Sequence, residues 1–385
     1  MKHLEESLNI IKENNLWRTT IPYQQIDGNY VMLEGKKCLM LAANNYLGLT
    51  HNAKVQQASI AAVELYGTGS SGARLTTGNY PLYDELEKTI AEFKGTEGAL
   101  VFNTGYMANV GVISALGRKN DVIFSDELNH ASIIDGCRLA KAETKVYKHS
   151  DMTDLEKLLK NTSCEGVKWI VTDGVFSMDG DIAPLDEIVA LAQKYDAEII
   201  VDDAHATGVI GNGKGTAHHF GFSKEVAVQI GTLSKAVGSE GGFVAGSQIL
   251  IDYIRNVARS FIFSTALAPA VVGAGVMALK QIQSESNLVN KLRENSLFMR
   301  DCLEKFGIDV IAGETPIIPI IIGDASKTLA VKEACQNNGI ILSAIRPPTV
   351  PMGTSRLRLT VMATHEQDDL KRAAKTIADI IKEKA

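Results

Sequence analysis

Five short apolar runs, separated by stretches long enough for a helix, constrain this chain more than any other feature. Ala99 to Phe102, Asp121 to Phe124, Thr144 to Tyr147, Trp169 to Thr172 and Glu198 to Val201 have the length and residue types of buried strands. Leu82, Leu86, Ile90 and Phe93 mark a helix face ahead of the first of them. Between the last two, Leu185, Ile188, Val189 and Ala192 recur at helical spacing after Pro184, a residue favoured in the first turn of a helix. Strands alternating with helices of this length imply an α/β fold, with a mostly parallel, doubly wound sheet covered on both faces. Val226 to Ile230 and Gly242 to Ala245 read as two more strands, which would make a seven-stranded sheet flanked by helices.

The flanks read differently. Leu4, Leu8 and Ile11 place an amphipathic helix over residues 1–16, with extended segments near Tyr30 to Leu33 and Cys38 to Leu41. An Ala- and Gly-rich helical stretch from Pro269 to Phe306 leads out of the sheet. Then Ile317 to Ile322, Ile340 to Ile345 and Leu357 to Val361 read as strands of a smaller α+β unit. Its terminal helix carries Leu370, Ala374, Ile377 and Ile381, with Thr364 and Gln367 as a capping box. The division expected is 1–44 as N-terminal helix and extended segment, 45–285 as the large domain, and 286–385 as the small C-terminal domain.

Composition excludes several classes. At 385 residues with 45% hydrophobic and 22% charged content, the chain has material for a large globular core. A net charge of −6 supplies no basic patch for nucleic acid. No apolar run approaches the ~20 residues of a membrane span, and the acidic start Met1-Lys2-His3-Leu4-Glu5-Glu6 is unlike a signal peptide. Cys38, Cys137, Cys164, Cys302 and Cys335 are odd in number and hold no CxxC pair. They read as reduced thiols of a cytoplasmic protein without a cysteine metal site.

Chemistry concentrates just past the apolar runs, at the strand ends where open α/β sheets bind ligands. Ile199-Ile200-Val201 leads into Asp202-Asp203-Ala204-His205, and Val226 to Ile230 leads into Gly231-Thr232-Leu233-Ser234-Lys235. An amine and an acid so placed are the two groups that pyridoxal phosphate (PLP) needs: a Schiff-base lysine, and a carboxylate that keeps the pyridine nitrogen protonated. Taken singly, a Ser-Lys is an ordinary surface pair, and Asp-Asp could cap a helix or bind a metal. His205 could reach the ring's phenolic oxygen or merely cap a turn. Asn103-Thr104-Gly105-Tyr106-Met107-Ala108-Asn109 opens a helix after the Phe102 strand, where free backbone N–H groups suit a phosphate, with the Thr232 and Ser234 hydroxyls near the same anion. His130 follows the Phe124 strand and could stack on the ring or make an ordinary contact at a helix start. Gly67-Thr68-Gly69-Ser70-Ser71-Gly72-Ala73-Arg74 lacks the ending of a P-loop and reads as a substrate-side loop. Arg356 and Arg358 flank Leu357 and share one strand face, where a guanidinium fork suits an amino-acid carboxylate. Surface exposure is the alternative for at least one of the group Arg346, Arg356 and Arg358.

Six stretches then resemble, in order, the PLP-dependent α-oxoamine synthase family of fold type I. They are Asn44-Asn45-Tyr46-Leu47-Gly48-Leu49, Gly67 to Gly72, Asn129-His130-Ala131-Ser132, Asp202 to Gly208, Gly231 to Lys235, and Arg346 to Arg358. The resemblance implies a large PLP-binding domain and roles residue by residue. Lys235 would form the Schiff base, Asp202 pair with the pyridinium and His130 stack on the ring. His205 and Ser177 would contact the phenolic oxygen, and Thr232 with the amides of Gly105 and Tyr106 would hold the phosphate. Ser264 and Thr265 would reach the phosphate of a partner subunit, implying a homodimer with shared sites. Asn44 and Arg358, with Arg346, would bind the amino-acid carboxylate, and Thr349 joins them as a substrate residue. Arg18 would contact the acyl substrate, and no metal is implied. Arg346-Pro347-Pro348-Thr349-Val350-Pro351 and Gly78-Asn79-Tyr80-Pro81-Leu82 favour the branch that joins L-alanine to a pimeloyl thioester, carried by CoA or an acyl-carrier protein, for biotin. The branch that joins glycine to acetyl-CoA is the rival enzyme. A catalytically dead subunit of the same fold is the rival of another class, and such a subunit should lack the Schiff-base lysine.

Overall fold

The computed structural model describes residues 1–13, 16–285 and 287–384. Its central sheet has seven strands in the order Gly98–Phe102, Gly242–Gly246, Val228–Thr232, Ala197–Asp202, Lys168–Asp173, Val122–Asp126 and Glu143–Tyr147. Gly242–Gly246 runs antiparallel to both its neighbours, whereas the other pairings are parallel. The architecture expected from the sequence is therefore present, a mostly parallel seven-stranded sheet with flanking helices and a smaller sheet unit. Apart from the largely exposed edge strand Glu143–Tyr147, the strands are buried on both faces, which is why they read as continuous apolar runs instead of alternating ones. On one face Leu86, Ile90 and Phe93 of the helix Pro81–Lys94 join Val272, Val276 and Leu279 of Pro269–Ser284 in a single core. Opposite, Val112 and Ile113 of Gly105–Leu116 pack with Ile133 and Ile254.

The single reversed strand has a local consequence. Because Thr232 pairs with Gly242, residues 233–241 form a hairpin loop at the edge where the parallel strands end. That loop is cross-tied by Leu233 N–H to the Gly241 carbonyl at 2.9 Å, Ser239 N–H to the Leu233 carbonyl at 2.8 Å and Gly238 N–H to the Lys235 carbonyl at 2.9 Å. Lys235 thus projects from a backbone fixed on both sides.

A three-stranded antiparallel sheet, Ile317–Gly323, Ser355–Thr360 and Ser343–Ile345, carries the helices Asn287–Lys305, Ala325–Asn337 and Gln367–Lys384. Leu357 and Leu359 enter this unit's core, so strand alternation sends Arg356 and Arg358 to the opposite face, toward the large sheet. The expected strand 340–345 divides at Leu342. Ile340–Ile341 pairs in parallel with Lys36–Met40 of the N-terminal segment, and Ser343–Ile345 pairs with Ser355–Thr360.

Two helix readings need correction. The stretch from Pro269 to Phe306 is two helices, broken after Ser284. The proposed capping box also fails, because the terminal helix begins at Gln367 and the Thr364 hydroxyl donates instead to Asn29 Oδ1 at 2.5 Å. The first helix spans Lys2–Glu13; Asn14 and Asn15, within the stretch read as helical, lie outside the described residues. No helix among the described residues is long and apolar enough to cross a membrane.

One buried group beside the small sheet makes stability depend on pH. His365 is 1% exposed, its Nδ1 accepts from Met362 N–H at 3.0 Å, and burial pulls its pKa from 6.5 to about 4. Between those values the unfolded chain binds a proton that the native state refuses, so stability falls as pH drops from 6.5 toward 4. The loss reaches about 3 kcal/mol at about 1.4 kcal/mol per unit. His365→Asn keeps an acceptor for Met362 and removes the titration. Its urea midpoint should lose correspondingly less between pH 7 and pH 4.5 than that of the wild type, and parallel acid limbs would count against this account.

Candidate active site

The strand ends bring together groups that are far apart in sequence. Asp202 is 4% exposed and closes the strand Ala197–Asp202, while Thr232 closes the neighbouring Val228–Thr232. Both Asp202 oxygens accept hydrogen bonds: Oδ1 from Ala204 N–H at 2.8 Å and Oδ2 from Asn109 Nδ2 at 2.5 Å. Asp173 ends the next strand in register with Asp202, and its Oδ2 accepts from His130 N–H at 2.7 Å. Burial first, then the charge of Asp202, raise the Asp173 pKa well above the ordinary carboxylate value. Of the two adjacent acids, Asp173 is therefore the one driven toward its neutral form.

Lys235 stands within electrostatic reach of both acids. Desolvation lowers its pKa, against the opposing attraction of Asp202 and Asp173, and the Arg358 charge adds to the lowering. His205 is 7% exposed, and its pKa falls well below the ordinary value through burial and then the nearby charges of Lys235 and Arg358. Its Nδ1 lies 2.7 Å from the Tyr46 hydroxyl, which is itself 3.2 Å from Asn44 Oδ1. Both terminal nitrogens of Arg358 donate to Asn44 Oδ1 at 3.3 Å, and its Nε donates to the Ser177 carbonyl at 2.5 Å. Arg358, Asn44, Tyr46 and His205 form one continuous network. Arg356 is also buried and pairs with Asp179 on the same turn, so neither of these arginines is a surface residue.

The turn 174–182 is held from a second side by His149. Its Nδ1 meets Asp126 Oδ1 at 3.0 Å and its Nε2 meets Asp181 Oδ2 at 2.9 Å. Burial alone would lower the His149 pKa, but hydrogen bonds to the two carboxylates raise it to about 10, so the ring is an imidazolium. That clasp joins the loop leading to His130 to the turn carrying Ser177.

His130 caps the helix Ala131–Leu139 and lies edge-on to Tyr106 with ring centroids 6.4 Å apart. His130 is exposed as a residue, yet desolvation still lowers its pKa, with Asp202 opposing and Lys235 reinforcing. Gly105 and Tyr106 open the helix Gly105–Leu116, which Thr104 caps by accepting Met107 N–H at 3.1 Å. A Cβ on Gly105 would meet Thr232 Cβ at 3.3 Å, and one on Gly242 would collide with the Thr104 carbonyl at 2.3 Å. These close approaches place a helix N-terminus with spare N–H groups, a cradle suited to an anion, beside Thr232. The Thr232 hydroxyl donates to the Gly241 carbonyl at 2.8 Å and would have to turn from it to meet that anion.

Other residues named from the sequence stand further out. The Ser264 hydroxyl donates to the Ser260 carbonyl at 2.7 Å, and Thr265 bridges to Ala73 while its carbonyl accepts from Asn103 at 2.7 Å. Arg346 is half-buried and Thr349 exposed on the turn after the strand that pairs with Arg358. Arg18 is exposed in the irregular segment after the first helix. Four residues of the cluster were not singled out beforehand: Tyr46, Asn109, Ser132 and Asp173. Tyr46, Asn109 and Ser132 carried a signal only as members of stretches already noted, and Asp173 carried none.

The residues fit PLP. The donor set holds an amine of lowered pKa, a buried acid that already accepts two hydrogen bonds, and an anion cradle at a helix start. A family model described as aminotransferase class I and II matches residues 36–377. The chain is 50% identical over 377 residues to an 8-amino-7-oxononanoate synthase of Lysinibacillus sphaericus, covering 98% of this chain and 97% of the relative. It is 48% identical over 384 residues to 8-amino-7-oxononanoate synthase 2 of Bacillus subtilis, covering 99% and 97%. Among solved structures, a serine palmitoyltransferase from S. paucimobilis with a bound PLP–myriocin aldimine is similar with a TM-score of 0.94. It shares 30% identity and covers 99% of this chain and 97% of that one. An 8-amino-7-oxononanoate synthase from Francisella tularensis is similar with a TM-score of 0.77 and 28% identity, covering 90% and 98%.

Proposed function

Because this chain belongs to the aminotransferase class I and II family, we infer that it is a PLP-dependent acyltransferase, an α-oxoamine synthase acting as 8-amino-7-oxononanoate synthase. It joins L-alanine to a pimeloyl thioester, releasing carbon dioxide and the free thiol, in biotin biosynthesis. The observation that carries this reading is that Lys235 and Asp202 follow adjacent strand ends within electrostatic reach of each other, in a chain 45–50% identical to such synthases along nearly its whole length.

When bound, PLP supplies an aldehyde for the lysine and a protonated ring that accepts the electron pair left at the amino-acid Cα. The chain's residues do the rest. Asp202, fixed by Asn109 and the Ala204 amide, holds a proton on the pyridine nitrogen by opposite charge. Lys235 takes the Cα proton, and the desolvation that lowers its pKa favours the free-amine form such a base needs. Arg358, braced by Asn44 and the Ser177 carbonyl, offers a fixed positive charge to the alanine carboxylate. Arg346 and Thr349 extend that substrate side, and Arg18 meets the acyl substrate. His130 would cover the ring, while neutral His205, together with Ser177, would serve its phenolic oxygen. Gly105, Tyr106 and Thr232 receive the phosphate.

The same reading makes the enzyme a cytoplasmic homodimer in which Ser264 and Thr265 serve the partner's phosphate. Leu75, Leu128 and Phe263 on loops around the site, and Tyr106 at the start of the helix Gly105–Leu116, are each more than 40% exposed, and a second copy would cover them. The thioester carrier is CoA or an acyl-carrier protein. A panel of acyl thioesters of graded chain length, each run with L-alanine and with glycine, tests the assignment. Turnover should peak with pimeloyl thioester and L-alanine, and turnover confined to glycine with acetyl-CoA would overturn it.

A further inference from the structure

Asn109 is 2% exposed and lies one helical turn after Gly105, on the helix whose start forms the anion cradle. Its Nδ2 donates to Asp202 Oδ2 at 2.5 Å and to Ser132 Oγ at 2.9 Å, which uses both amide hydrogens. Its Oδ1 is buried without a partner. An orphaned carbonyl works against stability, so the residue is not there for packing. What an apolar residue of similar size could not supply is the pair of donors.

The direction of the next bond follows. Ser132 Oγ accepts from Asn109, so its own hydrogen is available to His130 Nδ1 at 2.7 Å. The Ser132 backbone N–H points to the same nitrogen at 3.3 Å. A ring nitrogen that accepts two hydrogens carries none. In the neutral imidazole the proton therefore resides on Nε2.

We propose that Asn109 is a positioning residue, which holds the Asp202 carboxylate in place and, through Ser132, fixes His130 as the tautomer protonated on Nε2. One amide thereby sets both the acid for the pyridine nitrogen and the ring that covers it. This rests on the PLP reading of the site and adds to it the orientation of two of its groups.

The test uses holoenzyme labelled with 15N-histidine, with His130 assigned by comparison with His130→Gln. In the wild type, Nδ1 should resonate as an unprotonated nitrogen and Nε2 as a protonated one. In Asn109→Leu and in Ser132→Ala, the Nδ1 signal should move toward the protonated position as the ring begins to exchange tautomers. Asn109→Leu should also weaken PLP binding by about tenfold, the size of one charge-assisted hydrogen bond, and by more than Ser132→Ala does, because only Asn109 bonds Asp202 directly. A merely structural role for Asn109 would lower the melting temperature without moving the ring proton. A protonated Nδ1 in the wild type overturns the proposal, as does an Asn109→Leu enzyme with the wild-type Nδ1 signal. Should Asn109→Leu fail to fold, an unchanged signal in Ser132→Ala overturns it. Borohydride fixation of PLP on Lys235 is measured in parallel. Its absence in the wild type removes the PLP reading itself, whereas fixation with an unmoved ring proton removes only the role of Asn109.

Discussion

Lys235→Met should lower turnover of L-alanine with pimeloyl thioester by at least ~10⁴-fold, the upper end of what one positioned base contributes. The substitution removes two functions together, the amine that binds the cofactor aldehyde and the base at the alanine Cα. Backbone bonds within 233–241 hold the loop, so the fold should survive the loss of the side-chain charge. Stability should in fact rise. The native pKa of Lys235 lies below its unfolded value of 10.5, so the unfolded chain holds the proton more tightly. That difference disfavours the native state at every pH below the native pKa and fades as pH rises to 10.5. In cofactor-free protein, Lys235→Met should therefore melt above wild type at pH 7, by a margin that shrinks toward alkaline pH. A gain in stability bought with lost activity is the expected mark of a functional buried charge. Retention of more than about one hundredth of wild-type turnover would be incompatible with the base role, given the 10²-fold lower bound for such groups. Borohydride fixation of the cofactor at the active site of the variant would in turn be incompatible with Lys235 as the Schiff-base amine, because no other lysine lies in 233–241.

The parts of the site that were legible beforehand share one property: each directly follows a strand that reads clearly from its own residues. Asp202 and Lys235 come straight after Ile199-Ile200-Val201 and the apolar run ending at Ile230, and the strand-end rule then places both on the ligand side. Asn109 offered no such cue. It is a polar residue inside a helix with several buried neighbours, and its partner Asp202 is 93 positions away. Asp173 ended a recognised strand, but its altered acidity depends on which strand lies alongside, a fact set by sheet order and not by local sequence. Register likewise divided 340–345. Ile340 and Ile341 find a parallel partner in Leu39 and Met40, about 300 residues earlier, whereas Ser343 to Ile345 find an antiparallel one in residues 356–358. The arginines were harder to read than the strand that carries them. Alternation around Leu357 correctly put both on one face, but their burial comes from Asp179 and the Ser177 carbonyl on a distant turn.

Asp202→Asn should reduce kcat by roughly 10²- to 10⁴-fold while leaving borohydride fixation on Lys235 intact. The estimate follows from losing one partner of a buried charge pair, about 3–5 kcal/mol, at about 1.4 kcal/mol per tenfold. An amide is nearly the same shape, so packing is preserved, but it accepts at only one of its two ends. Ala204 N–H and Asn109 Nδ2 each donate to a different Asp202 oxygen, and in the variant one of them must face an NH₂ group. The pyridine nitrogen loses the charge that held its proton, so the ring withdraws electrons less strongly and proton removal at Cα slows. Asp173 limits the damage. The charge of Asp202 is one of the causes that raise the Asp173 pKa, and without it Asp173 ionises more readily beside the same site. Adding Asp173→Asn should therefore cost more in the Asp202→Asn background than in the wild type, a coupling that a double-mutant cycle in kcat measures directly. Additive losses would show that the two carboxylates do not share a charge, and an Asp202→Asn enzyme within about fivefold of wild type would fall below the range that breaking a buried pair requires.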